Sequence, residues 1–224
     1  MVNIIVLATN NQNKVKEFKE ILDGFEIEIR SLGDFGPLPG VVEDGSTFDE
    51  NAYKKAHHYA KVLGLPAIAD DSGLVVNALA GAPGVFSARY AGPDATDDEN
   101  TSKLLENLKN THDRSAYFQC VLSIAVPSGP ALTYEGRCDG VIIHEKRGEK
   151  GFGYDPVFCP VGMDKTFAEL PSSEKNSISH RGKALAEVRQ EKDKIIKWLS
   201  LRLEEEKPEK PDHSQFQSND WSNQ

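Results

Sequence analysis

Residues 2–8, Val-Asn-Ile-Ile-Val-Leu-Ala, are apolar except for Asn3 and rich in β-branched side chains. A strand without polar alternation has to be covered on both faces, which is the situation of strands flanked by helices in α/β proteins. The next segment switches to the helical repeat. Val15, Phe18, Ile21 and Leu22 share one face after a polar turn at residues 9–11, and Gly24 is placed to stop the helix. Strand, short turn and amphipathic helix in that order set the fold class as α/β.

The rest of the chain continues in such units. Glu26 to Ile29 alternates polar and apolar, predicting a second strand, and the Gly-, Pro- and Asp-rich residues 32–46 read as a loop. Thr47-Phe48-Asp49-Glu50 has capping-box spacing and predicts a helix to about Leu63, closed by Gly64 and Pro66. Residues 67–69 then read as a short strand and Asp70-Asp71-Ser72-Gly73 as a turn, with residues 73–79 folding back as another strand. Thr96-Asp97-Asp98-Glu99 opens a further helix carrying Leu104, Leu105 and Leu108. Phe118, Cys120, Leu122, Ile124 and Val126 alternate with Tyr117, Gln119 and Ser123, and residues 127–130 turn the chain back through residues 132–143 as a long hairpin. A last helix is expected over about residues 180–203, with Leu185, Val188, Ile195, Leu199 and Leu203 as its buried stripe. Residues 204–224 are charged and polar with two prolines. Such a segment cannot offset its ordering entropy by burial, so a disordered tail is expected after a domain of residues 1–203.

Composition narrows the function classes. With 38% hydrophobic and 27% charged residues, the chain fits a soluble globular protein, and no apolar run is long enough to span a bilayer. The first residues lack a basic n-region and read as a strand rather than a signal peptide. A formal net charge of −9 argues against a nucleic-acid polymer as partner, while a local cation cluster still suits a small phosphorylated ligand. Cys120, Cys138 and Cys159 form no CxxC pair, as expected of buried thiols in the cytoplasm.

Four segments hold residue types that a nucleotide site needs. Thr9-Asn10-Asn11-Gln12-Asn13-Lys14 sits between strand and helix, where free N–H groups, the helix dipole and the Lys14 charge favour an anion. Its glycines are missing, so Asn10 or Asn11 is expected to supply any left-handed residue. Glu43 and Asp44, with Lys55 on the helix beyond, offer carboxylates and a phosphate-binding cation. Gly151-Phe152-Gly153-Tyr154-Asp155-Pro156 combines close backbone approach, a stacking ring and an acceptor at Asp155. Lys175, His180 and Arg181 gather donors near a helix start. Asp70 and Asp71 should point to opposite faces, one facing a cleft while the other braces the loop. Carboxylates without a His/Cys cluster point to magnesium rather than zinc.

Six blocks in order carry a resemblance: Thr9 to Lys14, Glu43 to Ala52, Ala69 to Gly73, Ser87 to Gly92, Gly151 to Pro156 and Ser177 to Gly182. Together they resemble the Ham1-type inosine triphosphate pyrophosphatases, the dITP/XTP pyrophosphatases of bacteria. The resemblance implies an elongated central mixed sheet flanked by helices, two lobes with a nucleotide cleft between them, and a homodimer. It implies magnesium-dependent hydrolysis of ITP, dITP and XTP to the monophosphate and pyrophosphate. By the same resemblance Thr9, Asn10, Asn11, Gln12, Asn13 and Lys14 bind phosphate, Asp71 is catalytic and metal-linked, and Glu43 is the second metal ligand. Ser72 contacts substrate, while Phe152, Gly153, Tyr154, Asp155, Lys175, His180 and Arg181 hold mainly the base; Lys55 is expected to bind substrate on the strength of its charge alone. Whether Asp70 or Asp71 takes the proton from water is open at this level. A Maf-like pyrophosphatase with other base preferences and a nucleotide sensor without hydrolysis are the alternatives.

Overall fold

The computed structural model describes residues 4–22 and 27–205. Six strands form one mixed sheet in the order β2-β1-β3-β4-β5-β6. They are β1 (Ile4–Leu7), β2 (Glu28–Ser31), β3 (Ala67–Val76), β4 (Ser115–Ala125), β5 (Ala131–Ile142) and β6 (Phe158–Pro160). β1 runs parallel to β2 and β3, whereas β3, β4, β5 and β6 pair antiparallel in succession. The helices are α1 (Gln12–Ile21), α2 (Phe48–Leu63), α3 (Asp97–Asn107), α4 (Ser172–Ile178), α5 (His180–Gln190) and α6 (Lys192–Glu205). Among the described residues no helix is long and apolar enough to cross a membrane.

Local chemistry accounts for most of these boundaries. Asn11 caps α1, its Oδ1 accepting from the amides of Asn13 (2.9 Å) and Lys14 (3.3 Å). Thr47 caps α2 through the Glu50 amide, but the Glu50 carboxylate turns to the amide and hydroxyl of Ser46 instead of closing the expected box. The box at Thr96 and Glu99 of α3 is complete. α1 and α5 pack with β1, β3 and β4 around Leu7, Phe18, Leu122 and Leu185, while α2 covers the other face over Ala56, Ala60, Ala67 and Ala69. A separate cluster around Leu74, Leu104, Phe118, Phe158 and Phe167 fills the far end of the long strands. The apolar interior is therefore divided along β3, β4 and β5.

Two expectations need correction. Asp70-Asp71-Ser72-Gly73 is not a turn: β3 runs unbroken through it, with Asp70 opposite Leu122 and Gly73 opposite Gln119. Turn-forming residues stay extended here because ten consecutive pairs with β4 hold them. The last helix is also two pieces, since Glu191 separates α5 from α6, and the unexpected short helix α4 precedes it across an extended Ser179. The stripe survives the break: Leu185, Val188, Ile195 and Leu199 are buried and Leu203 is partly so. The second strand begins at Glu28, two residues later than expected. The stop at Gly24 and residues 206–224 of the tail lie outside the described residues.

α5 crosses β5 at Gly136, where a Cβ would overlap the His180 carbonyl and stand 2.8 Å from the Ala184 amide nitrogen. Gly136→Ala should therefore lower stability by about 1–3 kcal/mol, read as a drop in the urea midpoint. Glu135→Ala, one residue away on the exposed side, should stay within about 0.5 kcal/mol.

Candidate functional site

The site arises from unequal strand lengths. The β1 ladder ends at Leu7 opposite Ile68, while β3 continues to Val76 against β4. Past Ile68 the β1-side edge of β3 borders a cavity of about 460 Å³ at the carboxyl end of β1. The cavity reaches from Glu43, Lys55 and Asp71 at one end to Phe152, Lys175 and His180 at the other.

Strand alternation separates the two aspartates. Asp70 is buried on the α1/α5 face, where its Oδ2 meets Lys14 Nζ (2.9 Å), Arg181 Nη2 (3.0 Å) and Ser72 Oγ (3.0 Å). Burial alone would push its pKa up, but Lys14, Arg181 and Lys55 hold it far below the ordinary carboxylate range. Arg181 also donates to Glu17, which accepts from Lys175 at 3.0 Å; Lys175 in turn pairs with Asp155 at 2.7 Å. Burial opposes ionisation of Glu17 too, yet Arg181 and Lys175 lower its pKa.

Asp71 lies on the α2 face and lines the cavity. Its Oδ1 faces Lys55 Nζ at 3.2 Å and its Oδ2 accepts from Asn51 Nδ2 at 3.2 Å. Lys55 also reaches Glu43 Oε2 at 2.8 Å, so two carboxylates converge on one ammonium. Burial raises the Asp71 pKa against the pull of Lys55 and Lys14. For Lys55, burial is outweighed by Asp71, Asp70 and Glu43, and its pKa rises. Among the described residues no three His, Cys, Asp or Glu side chains converge as a metal cage.

The loop after β1 is less open to anions than its sequence suggests. Thr9, Asn10, Asn11 and Lys14 line the cavity; Gln12 and Asn13 do not, and Asn13 faces a smaller neighbouring cavity instead. Neither Asn10 nor Asn11 is left-handed, because Asn11 is an extended cap. The Asn11 side chain takes up two first-turn amides, and Thr9 Oγ1 accepts from the Asn11 amide at 3.1 Å.

At the other end Gly151 and Gly153, both at positive φ, turn residues 151–155 around Phe152. Asp97 Oδ2 accepts from the Gly153 amide at 2.7 Å, and the Tyr154 hydroxyl donates to the Ser87 carbonyl at 2.8 Å. Asp155, expected to accept from a ligand, accepts from the Phe152 amide and from Lys175, and so braces the loop. Lys175 Nζ lies 4.8 Å from the Phe152 ring centroid. The His180 ring stacks on Phe118 at 4.7 Å, and burial, with Arg181 and Lys175 nearby, pushes its pKa well down, leaving a neutral imidazole. His180 and Arg181 open α5, so their amides precede its first helical bond, from Lys183 to Ser179.

A model of the Ham1 family matches residues 5–191. This chain belongs to the Ham1 family. A protein of Desulfotalea psychrophila named dITP/XTP pyrophosphatase is 68% identical over 222 residues, covering 99% of this chain and 100% of that one. A second of that name, from Syntrophobacter fumaroxidans, is 58% identical over 91% of this chain and 88% of its own. The Ham1 protein structure from Coxiella burnetii superposes with a TM-score of 0.79 at 46% identity, covering 88% of this chain and 100% of that chain. That from Staphylococcus aureus gives 0.76 at 44%, covering 84% and 97%.

The Ham1 fold also brings in residues that sequence reasoning passed over. Glu17, Asn51, Ser87, Arg89 and Asp97 each touch the site or its supports. Asn51, Ser87 and Arg89 lay in blocks that carry the resemblance, without a role of their own; Glu17 sits at an ordinary helix position, where nothing local marks it. Because the folded pKa of Glu17 is depressed, its stabilising contribution is present above the unfolded value near 4.5 and is lost as pH falls. Glu17→Gln should cost about 3–5 kcal/mol at neutral pH and flatten the fall of stability below that value, measured by urea titration across pH.

Proposed function

We propose that this chain hydrolyses the triphosphates of 6-oxo purines, ITP, dITP and XTP, to the nucleoside monophosphate and pyrophosphate. One observation carries the reading: a single cavity holds a carboxylate–lysine cluster at one end and an aromatic, donor-lined pocket at the other. The names of the 68% and 58% identical relatives support it.

In this reading water attacks the α-phosphorus, its oxygen forms the new P–O bond, and the bond to the pyrophosphate oxygen breaks. Asp71 takes the proton. It lines the cavity, and its raised pKa makes it the better base of the two aspartates. Asp70 is tied to Lys14 and Arg181 and serves to hold them. Lys55 places positive charge beside Asp71, where negative charge builds on the phosphates.

The donor set fits magnesium. Asp71 and Glu43 present hard oxygens that already converge on the Lys55 cation, and magnesium characteristically shares one or two carboxylates with substrate phosphates. The cavity's cations, Lys14, Lys55, Arg89, Lys175 and Arg181, are outnumbered by Glu43, Asp71, Asp97 and Asp155 together with Asp70 and Glu17 behind them. A triphosphate entering this field therefore calls for an added cation. Asp71 and Glu43 would hold the metal, which supplies charge neutralisation of the triphosphate when bound.

At the base end, the His180 and Arg181 amides and the Lys175 ammonium are donors. They complement a 6-oxo group and oppose the 6-amino group of adenine. A homodimer acting in the cytoplasm belongs to the same proposal by family resemblance. The buried free thiols of Cys120, Cys138 and Cys159 support the reducing compartment.

With magnesium, dITP and XTP should release pyrophosphate with kcat/KM exceeding that for dATP by ~10⁴-fold. No pyrophosphate from any oxo-purine triphosphate in a coupled assay would overturn the reading. Asp71→Asn should lower kcat by about 10²-fold or more with the fold intact by circular dichroism. Near-normal turnover would remove Asp71 as the base.

A further inference from the structure

The cations around the cavity are not equally available to a ligand. Lys14 is paired with Asp70, Lys55 with Asp71 and Glu43, Lys175 with Glu17 and Asp155, and Arg181 with Asp70 and Glu17. Arg89 also lines the cavity, yet among the described residues it forms no ion pair, and its side chain is bonded to a backbone carbonyl instead. The one hydrogen bond of its side chain to the described residues runs from Nη2 to the backbone carbonyl of Glu43 at 3.2 Å. The guanidinium carbon stands 5.2 Å from the centroid of the Phe86 ring.

These two contacts aim the group without neutralising it. The carbonyl of Glu43 takes one N–H of the five, which leaves most of the planar fork for a ligand. Tethering to the Glu43 carbonyl also sets the guanidinium beside the residue whose carboxylate pairs with Lys55. A guanidinium fork matches two oxygens of one phosphate in a way that an ammonium does not.

We propose that Arg89 binds the β- and γ-phosphates of the triphosphate, the portion that departs as pyrophosphate, and is thereby the residue that selects triphosphates over monophosphates. The assignment rests on the hydrolase reading above and adds a residue to it. The paired lysines and Arg181 exchange one anion for another when substrate enters. Arg89 gains an ionic partner outright, so its contribution grows with the number of outer phosphates and is nil for a monophosphate.

Arg89→Ala and Arg89→Lys test this in the full chain with magnesium. Arg89→Ala should raise the KM for dITP and the inhibition constant of inorganic pyrophosphate by about 10- to 100-fold each, with the dissociation constant of inosine monophosphate unchanged. Arg89→Lys should recover part of the loss, since it restores charge without the fork. Should Arg89→Ala fail to fold, Arg89→Gln, which can still donate to the Glu43 carbonyl, carries the same three readouts. KM and pyrophosphate inhibition within twofold of the unsubstituted chain would overturn the assignment. So would a parallel loss of monophosphate binding, which would mark a structural role. An unsubstituted chain that binds pyrophosphate but cleaves no dITP would refute the hydrolase reading alone, because direct pyrophosphate titration of the variants still decides Arg89.

Discussion

Asp70 puts a full negative charge in the middle of a sheet, buried between helices and out of reach of water. An unpaired charge there would cost several kcal/mol, so the positions of the surrounding elements are coupled to its neutralisation. Lys14 brings the start of α1 to β3, and Arg181 brings the start of α5. Arg181 engages Glu17, Glu17 engages Lys175, and Lys175 engages Asp155 of the aromatic loop. Charges of alternating sign thus run from the central strand to the far end of the cavity. Each link fixes the distance between two elements that are remote in sequence.

One residue further along β3 the balance differs. Asp71 faces the cavity, and its main counter-charge, Lys55, is shared with Glu43. The same strand therefore carries a locked carboxylate on one face and a more basic one on the other. Period-two alternation is what permits this. A helix would have placed adjacent aspartates about 100° apart, too close to live in separate environments. The division of labour between a positioning residue and a chemical one follows from strand geometry.

Elements whose signal is local were legible in the sequence. The caps at Thr47 and Thr96, the long hairpin and the apolar stripe through Leu185 and Leu199 all appear where periodicity and capping chemistry place them. The errors share a cause. Asp70 to Gly73 has the composition of a turn, but β4 supplies a partner at every residue, and pairing overrides local preference. The single final helix failed for the converse reason: Glu191 interrupts it, although the stripe across the interruption stays in phase with the core. Likewise Asn11 looked like a stand-in for glycine and proved to be a cap, using amides that a bare loop would have left for an anion.

What the sequence alone determined was the α/β class, the capped helices, the long hairpin and the chemical types gathered in its motif blocks, because these depend on neighbours a few residues apart. Tertiary structure decided which charges are spent and which are free. Lys14, Lys55, Lys175, Arg181 and Arg89 look alike as letters, yet four sit against carboxylates and one against a carbonyl. It also decided that β3 outruns β1 and so opens a cavity beside the paired aspartates. Coulombic pairing and burial act through space, between groups more than a hundred residues apart such as Asp70 and Arg181, and no local pattern in the chain encodes that distance.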